Sequence, residues 1–268
     1  MLRDNTLKLI RDALVGMKNP VRLVLFTGET NCDECHSARE LASAIKAASG
    51  KIALEVYDIV MDRDKTTEYG VKRTPSFVVQ CAGGRTVSFS GSMEGVSLLL
   101  LLEALTAGST DREWFPSQIS GTLAFLEKGV SVKVLLENEC SLCMPVAQTA
   151  VGLALTNRLV STEIIVADEY PELLSKHKVR ILPYTLFGEA LHLEGHVPES
   201  EFLEKIFQAE GQKASGLDRL CLVCGSQSPD IICGSCKTKI QAEAVNHKRK
   251  DERLQEKGMA IDSHQHGR

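Results

Sequence analysis

Residues 32–35 read Cys-Asp-Glu-Cys and residues 140–143 read Cys-Ser-Leu-Cys. Pro75 lies 43 residues after Cys32, and Pro183 lies 43 residues after Cys140. The two dithiols are 108 residues apart. Each proline opens an apolar run, Pro75–Gln80 and Pro183–Phe187. A single CxxC is ambiguous between redox and metal chemistry. Two of them, each followed by a strand-opening proline at the same distance, describe one redox unit built twice. The register extends to the residues ahead of each proline: Tyr69–Pro75 aligns with His177–Pro183, sharing Val71 with Val179 and Lys72 with Arg180.

Working outward, the order of elements repeats as well. In the first pass, residues 1–18 carry an amphipathic helical pattern. Val21–Phe26 then reads as a strand, Ser37–Ala47 as a helix with Ala38, Leu41, Ala42 and Ile45 on one stripe, Ile52–Val60 as a strand and Lys65–Tyr69 as a short helix. Pro75–Gln80 and Thr86–Ser90 bracket Gly83-Gly84 as a hairpin, and a leucine-rich helix follows. The second pass runs Ser117–Lys128 (helix), Val130–Leu136 (strand), Pro145–Thr156 (helix), Thr162–Ala167 (strand), Pro171–His177 (helix), a hairpin over Pro183–Phe187 and Leu191–Leu193, and Glu199–Gln208 (helix). Each pass is α-β-α-β-α-β-β-α. A period of 108 residues is long enough for each copy to be a domain with its own core. The expected division is 1–112, 113–210, a cysteine-rich segment over 219–257 and a polar, disordered tail over 258–268. Trp114 is expected to pack at the seam between copies.

Bulk properties narrow the function classes. A net charge of −4 gives no sign of nucleic-acid or anionic-membrane binding. The most apolar stretch, Val96–Leu105, falls short of the roughly 20 residues that span a bilayer and reads as a buried helix. Asp4 and Asp12 interrupt the N-terminal apolar residues, so no signal peptide is expected. Nine cysteines, eight of them in CxxC pairs, fit a reducing compartment where paired cysteines are catalytic or metal-bound. The expected location is cytoplasmic.

Disulfide exchange needs a thiolate nucleophile and a second thiol close enough to resolve the mixed disulfide. A CxxC between a strand and a helix meets both needs, because the helix N-terminus favours the thiolate. Cys32 and Cys140 are the expected nucleophiles, and Cys35 and Cys143 the resolving thiols. A cis peptide bond before Pro75 and before Pro183 would leave the preceding backbone amide to pair with an extended substrate strand. Asp33 and Glu34 oppose ionisation of Cys32, whereas Ser141-Leu142 carries no charge. The first site is therefore expected to be the more reducing and the second the more oxidising. Cys81 reads as a small buried residue. His36 reads either as a cation beside the thiolate or as a helix-surface residue. Asp58 and Asp168 read as loop or cap residues or as buried proton carriers.

On these residues, and on Cys32–Arg39, Phe89–Gly91, Cys140–Val146, Pro171–Leu174 and Glu194–Glu199, the first 208 residues resemble the protein disulfide oxidoreductases built from two fused thioredoxin-like (glutaredoxin-like) units. They are similar, more distantly, to the tandem thioredoxin-fold segment of the alkyl hydroperoxide reductase flavoprotein. The resemblance implies two tandem thioredoxin-like α/β folds, each a mixed sheet flanked by helices. It also implies reduction, oxidation or isomerisation of protein disulfides, fed by a thioredoxin-reductase-like flavoenzyme, with no organic cofactor in the chain itself. The second site of that family commonly reads Cys-Pro-Tyr-Cys where this chain has Cys-Ser-Leu-Cys.

The resemblance does not reach the C-terminal segment, where Cys221, Cys224, Cys233 and Cys236 form two knuckles eight residues apart. That spacing suits a tetrahedral Cys₄ site, for which Zn²⁺ is the default ion. A structural zinc ribbon presenting a charged helix over Lys237–Lys257 is expected, with iron or redox-active thiols as the competing reading. His264 and His266 fall in the polar tail. Two other function classes compete for the whole chain. One is a redox-sensing or zinc-handling adaptor without turnover. The other is a dedicated electron donor to a peroxidase or a sulfur-metabolism enzyme.

Overall fold

The computed structural model describes residues 2–29, 32–110, 112–211, 221, 223–224, 232–239 and 242. Most of the charged helix expected over Lys237–Lys257 and the tail with His264 and His266 lie outside the described residues, as do residues 212–218. The chain divides into two compact units, Met1–Val197 and Pro198–Arg268.

In the first unit, the elements are α1 (Asp4–Leu14), β1 (Val21–Thr27), α2 (Cys35–Ala48), β2 (Ile52–Asp58), α3 (Arg63–Tyr69), β3 (Ser76–Gln80), β4 (Thr86–Ser90) and α4 (Gly95–Thr110). The second pass gives α5 (Ser117–Leu123), β5 (Val130–Leu136), α6 (Cys143–Thr156), β6 (Val160–Val166), α7 (Pro171–His177), β7 (Tyr184–Phe187) and β8 (Leu191–Glu194). α5 is shorter than its apolar pattern suggests. The N–H groups of Phe125 and Leu126 bond three residues back, to Thr122 and Leu123, so the last turn tightens and stops ahead of Gly129.

The eight strands among the described residues form one sheet, in the order β2-β1-β3-β4-β6-β5-β7-β8. Within each repeat the first strand runs parallel to the second and antiparallel to the third, and the third and fourth form a hairpin. The repeats meet edge to edge: β4 pairs in parallel with β6, from Val87↔Thr162 to Ser90↔Ile165. The copies therefore share a continuous ladder. β1 lies inside the sheet, which is why VRLVLF is a near-continuous apolar run rather than an alternating one.

Helices α2, α4 and α6 pack on this sheet. Ala38, Leu41, Ala42 and Ile45 form the buried stripe of α2, as their spacing predicts. α4 is buried around most of its circumference, including Leu98, Leu100, Leu101 and Leu102. Each such leucine contributes on the order of 1.5–3 kcal/mol. Among the described residues no helix is long and apolar enough to cross a membrane. Close packing explains two glycines. A Cβ at Gly108 would come within 2.1 Å of Cys81 Sγ, and one at Gly152 within 2.0 Å of Trp114 Cδ1. Cys81 is accordingly a buried packing residue, and Trp114 packs on α6 just past the end of the first repeat.

In the second unit, α8 (Glu199–Ala209) buries Phe202, Leu203, Ile206 and Phe207. Residues 234–239 are helical, and Lys237 Nζ donates to Glu204 Oε2 at 2.9 Å.

Candidate active sites and a cysteine cluster

At the end of β1 the chain turns into α2, and Cys32 and Cys35 form a disulfide with their Cα atoms 5.4 Å apart. Cys35 opens the helix and is buried, while Cys32 sits one turn ahead, half-exposed. The Gly28 N–H donates to Cys35 Sγ at 3.3 Å. The second site repeats this plan. Cys140 and Cys143 are bonded, with Cα atoms 5.3 Å apart, and Cys143 opens α6 fully buried while Cys140 is half-exposed. In both, an accessible outer sulfur and a shielded inner one stand at the N-terminus of a 14-residue helix.

The prolines stand at the same end of the sheet. Phe26 pairs with Ser76, so the antiparallel register carries Gly28 to the level of Thr74. Leu135 pairs with Tyr184, which carries Glu137 to the level of Leu182, and the Glu137 carbonyl accepts the Cys140 N–H at 3.1 Å. Both Thr74-Pro75 and Leu182-Pro183 are cis. Each proline carbonyl accepts a glycine N–H from the end of the next strand: Gly91 to Pro75 at 3.0 Å and Gly195 to Pro183 at 2.8 Å. Gly91, at φ +105°, also lies against Val166, where a Cβ would fall 2.8 Å from the Val166 Cβ.

Several side chains singled out in the sequence settle into plain roles. The His36 side chain is 85% exposed and reaches Glu40 at 3.8 Å, so it is a helix-surface residue. Asp58 accepts the N–H groups of Val60 and Met61 at 2.8 and 2.9 Å. These bonds hold its carboxyl below the usual aspartate range, the Met61 N–H most of all. Asp58 is thus a charged turn cap and not a protonated acid. Asp168 lies exposed in the turn after β6.

Sequence reasoning missed the residues that lock the repeats together. Arg73 forms an ion pair with Glu163 across the β4–β6 seam, and Ser90 Oγ donates to the same carboxylate at 2.8 Å. The Arg73 guanidinium lies over the Tyr170 ring, 5.3 Å from its centroid, and the Tyr170 hydroxyl donates to the Thr74 carbonyl at 3.4 Å. In the other direction, Asn138, two residues before Cys140, accepts the Val96 N–H at 3.0 Å through its backbone carbonyl. Its side-chain amide donates to the Ser92 carbonyl at 3.3 Å. Ser92 in turn donates its N–H to Glu169 at 2.7 Å. None of these residues forms a motif, because each acts across a gap of 40 or more residues in sequence that closes only once the two sheets join.

The relatives fit this geometry. Residues 130–208 match the family described as Thioredoxin domain. A crystal structure of a protein disulfide oxidoreductase from Aeropyrum pernix is 24% identical, with a TM-score of 0.71, covering 79% of this chain and 95% of its own. The NTD_N/C domain of alkylhydroperoxide reductase AhpF from Enterococcus faecalis is 19% identical, with a TM-score of 0.70, covering 77% of this chain and 100% of its own. The fold is the thioredoxin fold, built twice. No curated protein matches the chain. Measured against the thioredoxin-like repeats, residues 221–236 are an addition. There the Sγ atoms of Cys221, Cys224, Cys233 and Cys236 all lie within 4.8 Å of one another, and Cys224 and Cys233 are 3.6 Å apart. Four sulfurs at about 2.3 Å from a tetrahedral cation would stand about 3.8 Å apart, so the donor set fits a single thiophilic metal ion. Burial and the neighbouring thiols push the Cys236 thiol up, a cost that a bound cation would remove.

Proposed function

We propose that the chain is a thiol–disulfide oxidoreductase with two active dithiols. The observation that carries this is the paired placement, in both thioredoxin-like repeats, of a half-exposed outer cysteine and a buried inner cysteine at a helix N-terminus. In the reduced chain the Cys32 or Cys140 thiolate attacks one sulfur of a substrate disulfide and releases the other as a thiol. The mixed disulfide is then attacked by Cys35 or Cys143, which frees the second substrate thiol and leaves the disulfide seen here. Two electrons pass to the substrate, and a dithiol-reducing flavoprotein is the proposed class of donor. Pro75 and Pro183, with the residues before them, line the approach to each sulfur pair. Protein disulfides in the cytoplasm are the proposed substrates.

We read residues 1–112 and 113–210 as the two catalytic repeats and 219–257 as a Cys₄ segment holding structural Zn²⁺. The four thiolates would hold the ion, and the ion would supply a crosslink to a segment too short to have a core of its own. Dithiothreitol-driven reduction of insulin tests the enzymatic reading. Wild type is expected to turn over, the single variants Cys32→Ser and Cys140→Ser each to lose the contribution of one site, and the double variant to fall to the uncatalysed rate. No turnover by wild type would leave only a cysteine-rich binding protein, and full activity in the double variant would place the activity outside these two dithiols.

A further inference from the structure

The two sites differ in the backbone each offers beside its dithiol. At the second site, neither the N–H nor the carbonyl of Leu182 has a hydrogen-bond partner among the described residues, and Ile181 next to it is 55% exposed. At the first site, the Thr74 N–H likewise has no partner among the described residues, but the Thr74 carbonyl accepts the Tyr170 hydroxyl. That hydroxyl comes from the opposite repeat and is held in place. The Tyr170 side chain is buried with Leu135, Ile165, Tyr184 and Leu186, and its ring is covered by Arg73, which Glu163 fixes. Burial also pushes the phenol pKa up, so it stays a donor throughout the range in which thiols ionise. The residue at the Arg73 position of the second repeat is Ile181, so no cation lies there to cover a ring.

An extended polypeptide docking beside a dithiol gains its backbone bonds from an unpaired N–H and an unpaired carbonyl on the receiving segment. We propose that Tyr170, although carried by the second repeat, sets the polypeptide preference of the first dithiol by holding the Thr74 carbonyl that an extended substrate would otherwise use. The first site then favours short disulfides, and the second, with Leu182 open and Leu142 and Ile181 exposed, takes extended apolar polypeptides. This rests on the oxidoreductase reading above. Tyr170 is a positioning residue: it acts on the substrate through Thr74. A carbonyl oxygen has two lone pairs, so the competition is graded and amounts to the effect of one ordinary hydrogen bond, about threefold in affinity.

The test uses full-length protein in two backgrounds, Cys140→Ser/Cys143→Ser with only the first site and Cys32→Ser/Cys35→Ser with only the second. Tyr170→Phe keeps the ring and removes the hydroxyl. With insulin as substrate, Tyr170→Phe is expected to lower KM about threefold in the first background with little change in kcat, and the fall is confined to that background. The rate with 2-hydroxyethyl disulfide, too short to pair along a backbone, is expected to move less than the insulin KM. An unchanged or raised KM at the first site, or an equal fall in both backgrounds, overturns the proposal. If only the second background reduces insulin even with Tyr170→Phe, the proposal fails and the oxidoreductase reading stands. If neither background reduces any disulfide, both fail.

Discussion

Glu34 and Leu142 hold the same place in their dithiols, third in the four-residue motif, and they give the sites opposite characters. Asp33 and Glu34 are exposed carboxylates one and two residues from Cys32, whereas Leu142 exposes 71% of its surface beside Cys140. Exposed charges are screened, so their effect on sulfur chemistry is modest. The first dithiol is expected to be the more reducing by roughly 10–30 mV at low salt, with the gap closing at 1 M salt. Glutathione titration of the Cys32→Ser and Cys140→Ser variants measures it, and equal or reversed potentials would refute the assignment. A second residue gives a pH signature. The carboxyl of Asp58 is held below its unfolded value by two N–H donors. Its contribution to stability is therefore present above the unfolded pKa of about 3.9 and disappears as pH falls through the lower folded value. Asp58→Ala is expected to lower the thermal midpoint at pH 7. The gap to wild type should shrink below about pH 4, which melting curves across that range will record.

At the scale of elements, the parts that follow from local pattern were legible, and those that depend on sheet joining were not. The alternation and apolar runs of β1, β3 and β5, the stripe of α2 and the hairpin glycines all declare themselves within a dozen residues. The candidate site was legible because its dithiols and prolines recur as the same residue types at the same offsets. Tyr170, Asn138, Glu163 and Arg73 remained hidden, since their roles arise from the parallel pairing of β4 with β6. Gly95 belongs to this hidden group: it opens α4 at φ +43°, and a Cβ there would fall 2.2 Å from the Asn138 carbonyl oxygen. Gly95→Ala is expected to destabilise the chain by about 1–3 kcal/mol in urea unfolding. Because Asn138 leads into Cys140, it is also expected to slow the second site more than the first. Arg73→Met tests the seam from the other side. Removing the partner of the largely buried Glu163 is expected to cost about 1–3 kcal/mol, on the same urea scale.

For the molecule as a whole, the thioredoxin-like repeats and the Cys₄ segment call for separate measurements. The purified chain is expected to carry about one zinc ion, released on adding a thiol-modifying reagent and counted with a chromogenic chelator. Cys236→Ser is expected to lose the ion, and retention of a full equivalent would place the metal elsewhere. The seam has a longer reach. Each repeat lends its sibling a part that the sibling lacks: Tyr170 and Glu163 brace the turn ahead of Pro75, while Val96 and Ser92 brace the loop ahead of Cys140. Cutting the chain at this junction is therefore expected to leave two fragments, each wanting a buttress that only its sibling supplies.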